Sequence, residues 1–163
     1  EGAPMYKKIL LTLDGSEVAT QAIPHASALA KATGAPVVVL QVIDSEAQII
    51  SQASGATIEP ISMGTITVEI AREAVQAQRQ AAQANLDAAK AVLAKDGVTN
   101  VTTVVREGSP GDQIVEAVEK EGADVVVIAT HGRTGIRRAI LGSVADHVVR
   151  NTPTASVLLI RAH

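Results

Sequence analysis

Residues 125–144 read VVVIATHGRTGIRRAILGSV, and this stretch decides how the rest of the chain is interpreted. It opens with a β-branched apolar run at 125–129, which is typical of a buried strand. A basic loop with glycines follows, and Gly142 and Ser143 then indicate the start of a helix. We expect Ser143 to be the N-cap of that helix, with Asp146 as a weaker capping partner.

A strand that leads through a glycine-containing loop into a helix N-terminus is typical of an anion-binding site. The unpaired N–H groups and the dipole of the helix attract negative charge, and glycine lets the backbone approach a ligand closely. Three arginines add positive charge to the same loop: Arg133, Arg137 and Arg138. The loop therefore favours phosphate binding, although a basic surface loop before an ordinary capped helix fits the same residues.

Apolar strands and helices alternate along the rest of the chain. The predicted strands lie at 8–13, 36–43, 98–106, 125–129 and 155–161, and the predicted helices at 16–33, 68–96, 110–121 and 143–151. This alternation predicts an α/β fold, with a five-stranded parallel sheet and helices on both faces. In the strand order 3-2-1-4-5, the first and fourth strands are neighbours at the point where the order reverses, which is where ligands bind in such sheets.

Two segments are less regular. Pro24 lies within the predicted helix 16–33, and we expect a kink there because proline removes one N–H donor. The segment 45–67 is uncharged over most of its length and predicts a mobile loop with room for a helical turn. Such a loop is either a cover over a site or a disordered insertion.

The glycine spacing resembles that of the universal stress protein family. Its ATP-binding members carry G-x2-G-x9-G-[ST], and this chain has Ala129-x2-Gly132-x9-Gly142-Ser143, with alanine in place of the first glycine. The opening residues 5–10, which lead into Asp14, are also similar to the first strand of that family. The resemblance extends over almost the whole chain and implies a Rossmann-like fold of the adenine nucleotide alpha hydrolase-like kind.

The resemblance implies an ATP-binding regulatory protein of stress responses that holds ATP or another adenine nucleotide, with Mg²⁺ bound through the phosphates. The Ser143 hydroxyl and the charged side chain of Arg133 are implied phosphate contacts. The other implied phosphate contacts are backbone N–H groups: those of Gly132, Gly142, Ser143 and Val144. Val42 and backbone nearby form the implied wall around the base: Thr12, Leu13 and Ile128. Ala129, in place of the first glycine of the motif, is the implied closest backbone contact with the nucleotide. Asp14 is implied as a ribose contact or a magnesium ligand, although an aspartate after a strand is more commonly a turn or cap residue.

Composition narrows the class of protein. The chain has 163 residues, a net charge of −3, no cysteine and one aromatic residue, Tyr6. We expect one domain over residues 5–163, with residues 1–4 as a cloning remnant. The near-balanced charge and the lack of aromatic stacking residues argue against nucleic acid as a partner. Without a spanning apolar run or a signal peptide, we expect a cytoplasmic protein with no membrane partner.

Two other functions remain open. The first is an enzyme of the same fold, such as a slow ATP hydrolase or a nucleotidyl-transferring protein. Ser143 and His147 are four residues apart on one predicted helix and could pair as nucleophile and base, but Ser143 as a helix cap is favoured, and we expect at most weak ATPase activity. The second is a structural dimer that binds no nucleotide, an interpretation based on Ala129.

The last predicted strand suggests a homodimer. Ala155–Ile160 is strongly apolar for a strand that the order 3-2-1-4-5 places at the edge of the sheet. An edge strand leaves a row of N–H and C=O groups unpaired and is an aggregation risk unless it is blunted or covered. Two copies that pair antiparallel about a twofold axis would satisfy both edges, as the resemblance also implies.

Overall fold

The computed structural model describes residues 5–55, 68–131 and 142–163. Five strands and six helices alternate within these ranges, and each begins close to its predicted residue except where noted below. The strands are β1 (Ile9–Leu13), β2 (Val37–Ile43), β3 (Val101–Glu107), β4 (Val125–His131) and β5 (Ser156–Ala162). The helices are α1 (Glu17–Thr20), α2 (Ile23–Thr33), α3 (Glu46–Gly55), α4 (Val68–Lys95), α5 (Pro110–Glu121) and α6 (Ser143–Asn151).

The sheet confirms the predicted topology. Its five strands are all parallel, in the order β3-β2-β1-β4-β5. The central strands are almost entirely buried, as a near-continuous apolar run requires when helices cover both faces of a sheet. β1 is the first strand of the chain and lies at the centre, with β2 on one side and β4 on the other.

Side chains alternate between two separate cores because successive residues of a strand point to opposite faces of the sheet. We call the first side the α4 face, where Leu11, Val39 and Val127 pack with residues of α1, α2 and α4. We call the second side the α5–α6 face, where Leu10, Leu40 and Val126 pack with residues of α5 and α6. A residue's parity within its strand therefore determines which helices it contacts.

The segment that contains Pro24 differs from its prediction. Residues 16–33 form two helices, α1 and α2, and Pro24 lies in the first turn of α2. The predicted kink inside one helix is therefore wrong. Proline is tolerated in a first turn because the N–H groups there have no partner within the helix. Ending α1 and starting a new helix before Pro24 therefore costs less free energy than a kink around Pro24 within one helix.

The segment after β2 also differs. Residues 46–55 form a ten-residue helix, α3, instead of a loop with at most a helical turn, and α3 packs against α4. This helix was not predicted because its largely uncharged Gln/Ser/Ile sequence has only a weak amphipathic pattern. The remainder of the predicted loop, residues 56–67, lies outside the described residues.

No helix within the described ranges is both long enough and apolar enough to span a lipid bilayer.

Candidate functional site

β1 and β4 form the switch point of the sheet, and their pairing ends before the strands do. The ladder between them runs only from Ile9↔Val125 to Leu11↔Val127. By contrast, β4 remains paired with β5 as far as His131↔Ala162, and β2 with β3 as far as Ile43↔Glu107. The carboxyl ends of β1 and β4 therefore form a crevice in which backbone groups are not paired across the two strands. This is the position at which ligands bind in open parallel sheets.

Four residues predicted to contact the nucleotide line this crevice. Thr12 and Leu13 end β1, and Ile128 and Ala129 lie on the β4 side, beyond the last rung that the two strands share. Thr12, Leu13 and Ile128 are buried, while Ala129 is partly buried against the core of the α4 face. The structure thus brings these four predicted residues to one place. Most of their side chains pack in the two cores, so mainly their backbone groups are available to a ligand in the crevice.

Asp14 follows β1 directly and has a structural role. Its Oδ1 accepts hydrogen bonds from the Ser16 backbone N–H at 2.9 Å and from the Ser16 hydroxyl at 2.5 Å. Ser16 in turn caps α1, because its Oγ accepts from the N–H of Ala19 at 3.1 Å. The turn role that we weighed against a ligand role is therefore present. Asp14 is exposed and, among the described residues, its Oδ2 has no partner, so one carboxylate oxygen is available to a hydroxyl or a cation.

As the helix between the parallel strands β4 and β5, α6 begins at the carboxyl edge of the sheet, and its cap differs from the prediction. Gly142 is the N-cap, with φ 77° and ψ 149°, and Ser143 is the first residue inside the helix. Gly142 C=O accepts from the N–H of Asp146 at 3.0 Å. The prediction that Ser143 caps the helix is wrong because glycine adopts this backbone conformation, which a residue with a Cβ rarely does.

Asp146 is also not a capping partner, because its carboxylate accepts from Arg150 Nε at 2.9 and 3.0 Å. Ser143 is exposed, Val144 is partly buried, and by helix geometry their N–H groups have no acceptor within α6. The orphan N–H groups that an anion site requires are therefore present at Ser143 and Val144. Gly132 and Arg133, also predicted here, lie outside the described residues.

His147 pairs with α5 instead of with Ser143. Its Nε2 lies 2.8 Å from Asp112 Oδ1, and among the described residues the Ser143 hydroxyl makes no hydrogen bond to the imidazole. Gly111 permits this arrangement, because a Cβ at that position would lie 2.8 Å from His147 Cδ2. The close approach of α5 to α6 fixes where the N-terminus of α6 lies. It also gives His147 an orienting carboxylate that the sequence did not reveal, without forming a nucleophile–base pair.

A cavity of about 340 Å³ opens beside the crevice, at the carboxyl ends of β1 and β2. It contains two of the predicted residues, Asp14 and Val42. The rest of its wall comes from the turn after β1, the end of β2 and the facing side of α4: Gly15, Gln41, Ile43, Asp44, Gln78, Ala81 and Asn85. Its volume lies at the lower end of the range typical of small-molecule sites.

One pair of amides and one glutamine–aspartate pair organise this wall, and sequence reasoning missed both. Asn85 Nδ2 donates to Gln41 Oε1 at 3.3 Å. Gln78 Oε1 accepts from the Asp44 backbone N–H at 3.0 Å, and Gln78 Nε2 donates to Asp44 Oδ2 at 3.3 Å. One signal was visible in the sequence: Gln41 is the only polar residue of β2, and a polar side chain in a strand buried on both faces needs a specific partner.

Within the described residues, no group of three or more histidine, aspartate or glutamate side chains is placed to hold a metal ion. Magnesium binding through Asp14 alone would therefore depend on ligand phosphates and water, which is how Mg²⁺ is commonly held.

Comparison with known proteins gives a family match over nearly the whole chain. Residues 5–161 match the universal stress protein family. Universal stress protein MJ0531 of Methanocaldococcus jannaschii is 35% identical over 150 residues, which cover 92% of this chain and 79% of that protein. The solved structure of MJ0577, a universal stress protein of the same organism, is 28% identical, with a TM-score of 0.75 and 98% of each chain covered.

Two further solved structures share the fold at lower identity. A universal stress protein in complex with cAMP has a TM-score of 0.66 at 22% identity, covering 97% of this chain and 98% of the other. A universal stress protein from Archaeoglobus fulgidus in complex with dAMP has a TM-score of 0.61 at 21% identity, covering 96% of this chain and 99% of the other. At these identities the similarity shows a common fold, which agrees with the strand order described above.

Proposed function

This chain belongs to the universal stress protein family, and we propose that it is an ATP-binding regulatory protein of stress responses that acts in the cytoplasm as a homodimer. The observation that carries the proposal is the N-terminus of α6, which follows β4 and begins with a glycine N-cap and orphan N–H groups. Parallel topology puts the orphan N–H groups of Ser143 and Val144 at the carboxyl edge of the sheet, the edge at which the cavity with Asp14 and Val42 opens.

Charge favours one orientation of the nucleotide. Asp14 and Asp44 supply two carboxylates to the cavity, and these repel phosphate. The N-terminus of α6 carries the positive end of a helix dipole and attracts phosphate. The nucleoside therefore occupies the cavity side and the phosphates the α6 side. Gly142, Ser143 and Val144 then bind phosphate, with Gly132 and Arg133 as further proposed contacts, and the phosphates provide most ligands of a bound Mg²⁺.

The base is recognised without aromatic stacking, since Tyr6 is the only aromatic residue of the chain. Val42 offers an aliphatic surface at the end of β2, and its side chain is only partly buried against the core of the α5–α6 face. Backbone groups of Thr12, Leu13, Ile128 and Ala129 complete this wall. Cyclic AMP and dAMP are held by two proteins of the same fold, which is consistent with an adenine nucleotide here.

Glycine 142 provides the direct test. Gly142→Val places a branched side chain at the N-terminus of α6 and should weaken ATP binding more than tenfold, about 1.4 kcal/mol, in isothermal titration with MgATP. Gly34→Val is the matched control, because Gly34 also has a positive φ, 74° against 77°, and neither position has a described neighbour within 4 Å of a new Cβ. Equal ATP affinity in both variants and the unmodified protein would remove the phosphate site from α6.

Two further measurements, together with the titration, separate the alternative functions. Mass spectrometry of the gently denatured protein should detect co-purified ATP, and incubation with ATP should yield little ADP if binding without turnover is the function. Rapid ADP formation would favour the hydrolase alternative. No bound nucleotide and no heat of binding would favour a structural dimer.

A further inference from the structure

A polar side chain interrupts the buried strand β2. Gln41 is only 7% exposed and lies on the α4 face, where Val37 and Val39 of the same strand belong to the core. Burying an amide costs free energy unless its donor and acceptor find partners. A glutamine at this position therefore needs a compensating interaction that a valine would not.

Within the part of the chain that the structure describes, only half of that requirement is met. Gln41 Oε1 accepts from Asn85 Nδ2, but among the described residues Gln41 Nε2 has no hydrogen-bond acceptor and Asn85 Oδ1 has no donor. No fully buried side-chain nitrogen or oxygen of the described residues lacks a partner. Both free atoms are therefore accessible, and both residues line the cavity. Reversing the two amides exchanges their roles but still leaves one donor and one acceptor.

The turn after β1 leaves room above this amide pair. Gly15 has φ +87°, and a Cβ on it would lie 3.2 Å from Asn85 Nδ2 and 3.4 Å from Gln41 Nε2. A larger residue at position 15 would crowd both amides and narrow the cavity. Three separate elements, the turn, β2 and α4, thus combine to expose one donor and one acceptor at the cavity wall.

The chemistry of the wall limits what can occupy the cavity. Asp14 and Asp44 disfavour an anion, while the neutral amides favour a ligand edge that carries both a donor and an acceptor. A purine base has such edges; in adenine the 6-amino group donates and the adjacent ring nitrogen accepts. Asparagine and glutamine amides are well suited to this adenine pattern. Carboxylates beside them further favour a ligand that carries an amino group.

We propose that Gln41 and Asn85 form a base-reading pair that contacts the 6-amino edge of adenine and sets the base specificity of this protein. The inference rests on the proposed function, since it assumes that the nucleoside occupies the cavity. It adds Asn85 of α4 and Gln41, whose side chain lies on the opposite face of β2 from that of Val42, to a site otherwise built from Val42 and backbone groups. The side chains of this pair determine which base is preferred, and the α6 N-terminus determines how strongly the phosphates bind.

The test compares three probes: ATP, the triphosphate of unsubstituted purine riboside, which lacks the 6-amino group, and inorganic tripolyphosphate. The unmodified protein should bind ATP at least tenfold more tightly than the purine riboside triphosphate. In the double variant Gln41→Met, Asn85→Leu, that ratio should fall towards one while tripolyphosphate binding is unchanged. Replacing both partners avoids leaving one amide buried alone. Gln83→Leu is the control, because Gln83 lies on α4 outside the cavity and bonds to Asp87 and Thr103.

Unchanged tripolyphosphate binding shows that the double variant is folded. If the double variant does not fold, the single variant Asn85→Ala replaces it, because Asn85 is only partly buried. This variant should lower the affinity ratio of ATP to purine riboside triphosphate by several fold. A preserved tenfold ratio in the amide variants would overturn the base-reading role and leave the proposed function intact. Absence of ATP binding by the unmodified protein would instead overturn the proposed function.

Discussion

The two edge strands of the sheet, β3 and β5, differ in how they meet solvent. β3 is surrounded by polar contacts on both faces. On the α5–α6 face, Arg106 donates to Gln113 at 2.9 Å and to Glu116 at 2.7 Å. On the α4 face, Glu107 accepts from Arg79 at 2.8 Å, and Thr103 accepts from Gln83 at 3.3 Å. These side chains tie the edge strand to α4 and α5.

β5 has no comparable set of charged contacts within the described residues. Val157 and Leu159 pack against the core of the α5–α6 face, whereas Leu158, on the other face, is 38% exposed. The Ser156 N–H donates to Asp124 C=O on the β4 side. Because backbone N–H groups alternate in direction along a strand, those of Val157, Leu159 and Arg161 point away from β4. This edge therefore combines outward backbone groups with an exposed apolar side chain.

The sheet therefore has one edge closed by polar contacts, β3, and one open edge, β5. Charged side chains on an edge strand oppose pairing with another chain, and β3 has two such residues at its carboxyl end. An apolar edge without such residues favours pairing, and a twofold axis lets two copies of β5 complete each other. This contrast supports the proposed homodimer through Ala155–Ile160.

The largest expected effect comes from placing a charge on the open edge. Leu158→Lys puts two lysines close together across the twofold axis of the proposed dimer and removes apolar contact from both copies. The dimer dissociation constant should rise more than tenfold, about 1.4 kcal/mol, when measured by sedimentation velocity. Val92→Lys is the control, because Val92 is 45% exposed on α4 and lies away from β5. A monomer of the unmodified protein at micromolar concentration would contradict the pairing.

A smaller effect is expected at the closed edge, and on a different quantity. Arg106→Met removes two charge-assisted hydrogen bonds from a side chain that is 18% exposed, while keeping its aliphatic part. The free energy of unfolding in urea should fall by about 1 kcal/mol, and the dimer dissociation constant should not change. Arg150→Met is the matched control; Arg150 is 74% exposed in its i, i+4 pair with Asp146, so about 0.5 kcal/mol or less is expected.

If Arg106→Met instead produced larger assemblies without loss of stability, the main role of the Arg106 charge would be to oppose pairing at the edge of the sheet, and its bonds to α5 would contribute little. Equal losses of stability in Arg106→Met and Arg150→Met would show that the contacts at the closed edge contribute no more than an exposed helix pair.

The sheet was predictable from sequence because its signals are local and repeated. Each strand is an apolar run bounded by turn residues, and glycines end α2 and α5 in left-handed conformations, Gly34 with φ 74° and Gly122 with φ 67°. The strand order then follows from chain connectivity together with the glycine-loop motif. Only one side of the contrast between the two edges could be predicted. The apolar character of β5 can be read from its sequence, whereas the partners of Arg106 lie on α5 and meet it only in the folded protein.

The candidate site was predicted less completely, for the same reason. The start of α6 was predicted from the glycine spacing, and Asp14 and Val42 were predicted as site residues from the family resemblance at the ends of β1 and β2. The amide pair Gln41 and Asn85 could not, since these residues are 44 positions apart and meet only when α4 packs on β2. The cap of α6 was misassigned because Gly142 and Ser143 both suit an N-cap, and only the backbone angles distinguish them.

The smallest expected effect tests whether the end of the chain belongs to the open edge. Gln21, between α1 and α2, accepts from the His163 N–H at 3.0 Å and donates to its C=O at 3.1 Å. His163 is therefore held towards the α1–α2 connection. Gln21→Ala should lower the free energy of unfolding by about 1 kcal/mol or less, because both bonds are exposed, and should leave the dimer dissociation constant unchanged. Gln83→Ala is a comparable loss of an exposed glutamine on α4. A tenfold change in dimer affinity in Gln21→Ala alone would mean that the position of His163 governs access to β5.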